Sequence, residues 1–178
     1  DGMVFIRQPI ARYTSGNFQI AAESGNATIT PSTGSGRIEA DGNVMPDIIA
    51  RYNMKGDYGN VSFSAIARQL RLETGASSDD DTFGFGVNVA GRVKVGDSGA
   101  DVRFTAAAGE GLGRYFGLNA LNGAAIDPAT GEMTAISSYG GYIAYRQPFG
   151  ETARFNVGYS ALFADNPDFL TALNPAAT

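Results

Sequence analysis

Residues 82–95 read Thr-Phe-Gly-Phe-Gly-Val-Asn-Val-Ala-Gly-Arg-Val-Lys-Val. Odd positions are Phe83, Phe85, Val87, Val89, Gly91, Val93 and Val95; even positions are Thr82, Gly84, Gly86, Asn88, Ala90, Arg92 and Lys94. Apolar residues recur every second position, the period of a β-strand with two unlike faces and not the 3.6 of a helix. Residues 153–163 repeat it, with Ala153, Phe155, Val157, Tyr159, Ala161 and Phe163 against Arg154, Asn156, Gly158, Ser160 and Leu162. Residues 102–109 and 137–146 alternate in the same way. Four noisier strands are predicted at 3–13, 17–24, 47–55 and 60–73. In the last, either Arg68 or Arg71 shares the polar face, and a β-bulge would let both do so. No helical pattern exceeds two turns. The chain is all-β, with about eight antiparallel strands paired as four hairpins.

The connections alternate in length. Short turns are expected near 15–17, 55–59, 96–99 and 149–151, and long loops at about 24–46, 74–81 and 110–136. Tight turns at one end and extended loops at the other are what an up-and-down transmembrane β-barrel requires. The 178 residues form a single barrel domain or a segment of one.

Cys and His are both absent, so this chain has no disulfide, Cys nucleophile, Cys/His zinc site or His general base. No cofactor or metal is expected. With Lys+Arg 13 and Asp+Glu 18, the net charge of −5 argues against a nucleic-acid partner. The charge is sorted by position. Arg7, Arg12, Arg51, Arg68, Arg71, Arg92, Lys94, Arg103, Arg146 and Arg154 fall in predicted strands, and only Arg37, Lys55 and Arg114 in connections. Of the acids, only Glu23, Asp47 and Glu73 touch predicted strands, each at an end. A basic inner wall with acidic rims follows.

Alternating strands can face water and a core, or lipid and a lumen. Light apolar faces of Ala, Gly, Val, Phe and Tyr favour lipid. So do aromatics near strand ends (Tyr13, Tyr52, Tyr139, Tyr145, Phe163), which resemble interfacial girdles. Eight strands alone close around a filled interior, and a ring of inward cations without inward acids would fill it badly. The pattern suits a wide aqueous channel of about 16 strands, of which this chain would be half.

Several stretches carry a resemblance: Phe5-Ile6-Arg7-Gln8-Pro9-Ile10-Ala11-Arg12-Tyr13, Pro46-Asp47-Ile48-Ile49-Ala50-Arg51-Tyr52 and Ala67-Arg68-Gln69-Leu70-Arg71. Gly109 to Asn119, Tyr139 to Arg146 and Asn156-Val157-Gly158-Tyr159-Ser160 continue it in order. Together they resemble the DcaP-like outer-membrane porins. The resemblance implies a Gram-negative outer-membrane protein, a homotrimer of barrels surrounded by lipid and lipopolysaccharide. It also implies passive diffusion of small anionic solutes, notably dicarboxylates, past basic residues in the lumen. On that reading the chain is expected to begin after the family's periplasmic segment and early strands and to stop before its last ones.

The reading is therefore a porin without enzymatic chemistry, its pore lined by Arg51, Arg68, Arg71, Arg92, Lys94, Arg103, Arg114, Arg146 and Arg154. Guanidinium and ammonium groups on the wall lower the barrier for carboxylates and raise it for cations. The alternative is a soluble or periplasmic β-barrel that binds a small acidic ligand, with its Arg face outside. An outer-membrane hydrolase is disfavoured by the missing His. Gly109-Glu110-Gly111-Leu112-Gly113 has Arg114 where a dinucleotide loop needs its third Gly. Loop 110–136 is expected to be an ordinary surface loop; a partly inward fold offering Arg114 to anions is the lesser alternative. Asp79-Asp80-Asp81 lacks the spacing of a calcium loop and reads as a solvated tip.

Overall fold

A computed structural model describes residues 9–40, 42–73, 80–116 and 120–173. Eight strands form one antiparallel meander: β1 (Ile10–Ser15), β2 (Phe18–Glu23), β5 (Asp47–Gly56), β6 (Gly59–Leu72), β7 (Asp80–Val95), β8 (Ala100–Glu110), β11 (Ser137–Phe149) and β12 (Ala153–Asp165), neighbours in that order. β1 and β12 stand at opposite edges, and the sheet does not close among the described residues. Arg7 and the first part of the first predicted strand lie outside the described residues, as do Asp79, residues 117–119 of the resemblance, and the tail from 174. No described helix is long and apolar enough to cross a membrane, which says nothing of strands.

The short connections fall at 16–17, 57–58, 96–99 and 150–152. Gly16, Gly96 and Gly150 hold φ of +56°, +60° and +63°, the left-handed backbone that tight reversals require and glycine adopts without strain. The long connections carry a structure of their own. From 24–46 come β3 (Thr28–Thr30) and β4 (Ile38–Glu39); from 111–136 come β9 (Ala124–Ile126) and β10 (Met133–Ala135). They form a second sheet in the order β10-β9-β3-β4, with β3 and β9 parallel. Its apolar core joins Ile29, Ala124 and Met133 to Leu70 of the main sheet. The third long connection is shorter than predicted, because Asp80 and Asp81 belong to β7.

Register fixes the faces. The row Phe18–Tyr52–Phe63–Val89–Ala106–Gly141–Ala161 runs across seven strands, since partners in an antiparallel pair share a face. One residue away lies Gln19–Arg51–Ser64–Asn88–Ala107–Gly140–Leu162, the polar face. The apolar face is largely exposed, with Tyr159 at 73% and Val87 at 62%.

The long loops fold onto the polar face. Segment 111–116, which includes a 3-10 turn η1 (Gly113–Tyr115), lies against β6 and β7. Glycines make that approach possible. A Cβ on Gly84 would stand 2.8 Å from the Glu110 carbonyl oxygen, and one on Gly86 2.6 Å from Leu112. Gly111 has φ +68° and would put a Cβ 2.9 Å from the Gly84 Cα. The glycines of the 109–113 run thus serve contact between loop and wall. The expectation of an ordinary surface loop at 110–136 is corrected accordingly.

Gly84→Val keeps a good strand former in β7 but overpacks this contact, at a cost of about 1–3 kcal/mol. Local opening, and with it tryptic cleavage after Arg114, should rise about fivefold or more. Ala90→Val, elsewhere on the same face, is the control; equal cleavage in both variants would contradict the close packing.

Candidate functional site

β7, β8 and β11 gather a cationic cluster near the short-turn end of the polar face. Lys94, Asp101, Arg146 and Asn156 are register partners in one row. The next row is Lys55–Asn60–Arg92–Arg103–Ala144–Gly158. The Asp101 side chain is fully buried. Its Oδ2 accepts from Arg92 Nη2 at 2.8 Å and its Oδ1 from Arg103 Nε at 2.7 Å, while Arg146 Nη1 lies 3.8 Å from Oδ2. The three Arg side chains stay 49%, 44% and 31% exposed. One carboxylate therefore organises several cations and leaves the group with net positive charge. Arg51 and Arg154 lie on the same face, both exposed.

A second constellation sits at the long-loop end. Arg68 is 2% exposed. Its Nη2 lies 3.2 Å from Asp47 Oδ2 and donates to the Asn26 carbonyl at 3.0 Å; its Nη1 donates to the carbonyls of Gly111 (3.1 Å) and Leu112 (3.4 Å). The Tyr115 ring stands 5.1 Å from the guanidinium carbon, and its hydroxyl donates to Asp47 Oδ2 at 2.7 Å. Arg114 Nη1 donates to the same Asn26 carbonyl at 2.7 Å. One guanidinium thus ties together loop 24–46, loop 111–136 and the wall.

These contacts sort the nine predicted lining residues. Arg51, Arg92, Lys94, Arg103, Arg146 and Arg154 share the polar face. Arg68 is on it but sealed under the loops, so it is a structural residue and not an open lining one. Arg71 is corrected. β6 runs through without a bulge, Arg71 pairs with Asp81 and shares parity with Phe63, and its Nη2 lies 3.9 Å from Glu73 Oε1. Arg114 is half-buried and bonded to Asn26, holding a loop.

The expected separation of basic strands from acidic connections also needs correction. Asp47 and Asp101 are in strands, buried among the arginines, and Glu110 and Asp165 close β8 and β12. Lys55, at the border of a predicted strand and turn, lies in β5 on the polar face. Parity with Arg51 and Arg103 was the signal that could have found Lys55 and Asp101. Asp81 accepts from Gln69 Nε2 at 2.9 Å, and among the described residues no group of three acids is placed to hold a metal.

Comparison with family models, with curated proteins and with solved structures gives no match to this chain.

Arg68→Met leaves the Asp47 carboxylate buried without its cation, which should cost about 3–5 kcal/mol. Arg68→Met combined with Asp47→Asn should cost much less than the sum of the single changes. A double-mutant cycle by urea unfolding checks this; additive costs would mean that the pair is not coupled.

Proposed function

We propose that this chain forms wall of an outer-membrane porin that passes small anionic solutes, dicarboxylates among them, by diffusion through a cation-lined lumen. The observation that carries the reading is the division of one continuous sheet into an uncovered apolar face and a cationic face onto which the loops fold.

The apolar face argues for lipid. Eleven large apolar side chains in the central and C-terminal strands, from Phe63 to Phe163, are each 50–73% exposed. At about half of the roughly 200 Å² that an aromatic side chain can bury, they present on the order of 1,000 Å². The largest apolar patch on a soluble monomer is about 300–600 Å². Strand lengths agree: β5, β6, β7, β8, β11 and β12 have 10, 14, 16, 11, 13 and 13 residues, where a tilted spanning strand needs about 9–11. Along β11, Tyr139 and Phe149 bracket the apolar stretch, both on that face and more than half exposed. Their ten-residue separation is about 33 Å along a strand, or about 23 Å at a tilt of ~45°. The apolar band of an outer-membrane barrel is about 25 Å tall. Tyr139 stacks on Phe163 at 5.1 Å, pairing the aromatics of β11 and β12 at one border. A soluble barrel would bury this face, so the exposure speaks against the soluble acid-binding alternative.

The cationic face argues for anions. Arginines pinned through one or two N–H groups keep others free for a carboxylate, which they grip bidentately. Repeated weak contacts favour entry without trapping the solute.

Reconstituted in planar lipid bilayers under a KCl gradient, the protein should give a reversal potential on the chloride side. Arg51→Glu, Lys94→Glu and Arg154→Glu together should move it toward the potassium side. None of the three is committed to a carboxylate among the described residues, so the reversal leaves the Asp101 pairs intact. An ohmic pore whose selectivity ignores the triple variant would remove these residues from the lumen.

A further inference from the structure

We infer that the long-loop end carries a binding site for a hydroxylated monocarboxylate of the sugar-acid class, in which Arg37 takes the carboxylate. The site stands on its own geometry; its role in capturing solute at the outer mouth rests on the porin reading above.

A pocket of about 390 Å³ opens between the first long loop and the chain that leaves β12. Small-molecule sites occupy roughly 300–1,000 Å³. Thr30, Ser35 and Arg37 line it from the connection of β3 to β4, and Asn122 from the second long loop. Asn166 and Leu170 line it from beyond β12, Leu170 in a short helix α1 (Asp168–Leu173). β2 is second in the sheet and β12 is last, so the loop that leaves β2 reaches the exit of β12 across the open arc. The walls are fastened to one another. Asn122 Nδ2 donates to Thr30 Oγ1 at 2.7 Å and to the Gly36 carbonyl at 3.3 Å. Arg37 Nη2 donates to the Ala120 carbonyl at 2.9 Å, which holds the guanidinium at the pocket. A Cβ on Gly36 would meet nothing within 4 Å, so the space beyond that wall is open.

The lining selects a chemistry unlike that of the wall. Arg37 is exposed and is the one cation among the described lining residues, which include no acid. That set takes one carboxylate, gripped by the planar fork of the guanidinium. A second carboxylate would lose water there without meeting a second cation. Around the arginine stand two carboxamides and two hydroxyls, groups that donate and accept alike. They match an array of ligand hydroxyls, and Leu170 gives the carbon chain an apolar edge. The Asp101 cluster gathers cations and would favour charge alone; the pocket pairs a single charge with neutral hydrogen-bonding groups. Longer loops face outward in outer-membrane barrels, so on the porin reading a solute meets this pocket before the wall.

The chain has no Trp, so Phe169→Trp, beside Leu170 and outside the lining, installs a single fluorescent reporter. Gluconate, hexanoate and sorbitol share a six-carbon chain and differ in charge and hydroxyls. In the detergent-solubilised full chain, gluconate should bind saturably. Its affinity should exceed that of sorbitol about tenfold or more and that of hexanoate about three- to tenfold. Arg37→Gln should weaken gluconate about tenfold or more. Arg37→Lys keeps the charge but loses the fork and should fall between. Circular dichroism confirms that both variants are folded. In planar bilayers, gluconate should lower the chloride current at a smaller concentration from the loop side than from the turn side, and Arg37→Gln should remove the asymmetry. A protein that conducts but shows no saturable gluconate response, or one that Arg37→Gln leaves unchanged, overturns this inference alone. Equal affinity for gluconate and hexanoate overturns the hydroxylated class. A protein that binds gluconate through Arg37 and conducts nothing overturns the porin reading and the capture role, and the binding site stands.

Discussion

Arg68 carries its charge where water does not reach, and the arrangement of both long loops follows from that placement. A loop that leaves the end of a sheet and turns back over its face brings backbone carbonyls without ladder partners. Three of them, at Asn26, Gly111 and Leu112, converge on one guanidinium. Only Arg offers five N–H donors in a fixed plane; Lys would bring a compact charge with three. Asp47 offsets the buried charge at 3.2 Å, and Tyr115 lends it a hydroxyl. A buried ion pair of this kind adds little net stability against an apolar replacement. Here it selects one loop arrangement among many, adding three carbonyl contacts to the backbone bonds that Arg71 makes with Gly42 and Asn43 of the first loop.

The same placement explains why β6 could not be read from its own residues. From Gly59 to Ala67 its parity is plain, with Val61, Phe63 and Ala65 on one face. Beyond that the two faces exchange character. Gln69 and Arg71 continue the face of Phe63, while Leu70 and Leu72 continue the face of Arg68. There the face of Arg68 is covered by loops and becomes a core, while on the other face Gln69 and Arg71 find acidic partners in Asp81 and Glu73. Strand alternation reports environment, and the environment changes along this strand, so Arg68 and Arg71 looked interchangeable. The strands β7, β8, β11 and β12, whose alternation holds along their length, were legible to within a few residues of their ends.

Two other features escaped for reasons of length. β3, β9 and β10 have three residues each and β4 has two, too few for any period to register. Their sheet joins Ile29 to Ala124, a pairing set by the fold and not by neighbours in sequence. Asp101 was lost to a boundary. The alternation that begins at Val102 stops short of Asp101, so the pattern leaves its carboxylate between the turn at 96–99 and the strand, and the cationic wall without a counter-charge.

That counter-charge decides how the wall can work. Arginines on adjacent strands are close together: two unit charges about 5 Å apart repel by about 3 kcal/mol at an effective dielectric constant of ~20. Left to themselves, long cationic side chains on β7, β8 and β11 would splay apart. Asp101 lies between them, fully buried, and takes Arg92 by a terminal nitrogen and Arg103 by Nε. It lowers the repulsion and costs each guanidinium only part of its donor set. The remaining N–H groups stay on the half-exposed side, held in place before any anion arrives, so less side-chain entropy is lost when one binds. A wall of cations alone would have a larger field but loosely placed donors. A wall with one buried acid keeps most of the field and fixes its direction, which suits the proposed role of meeting small anions briefly without holding them.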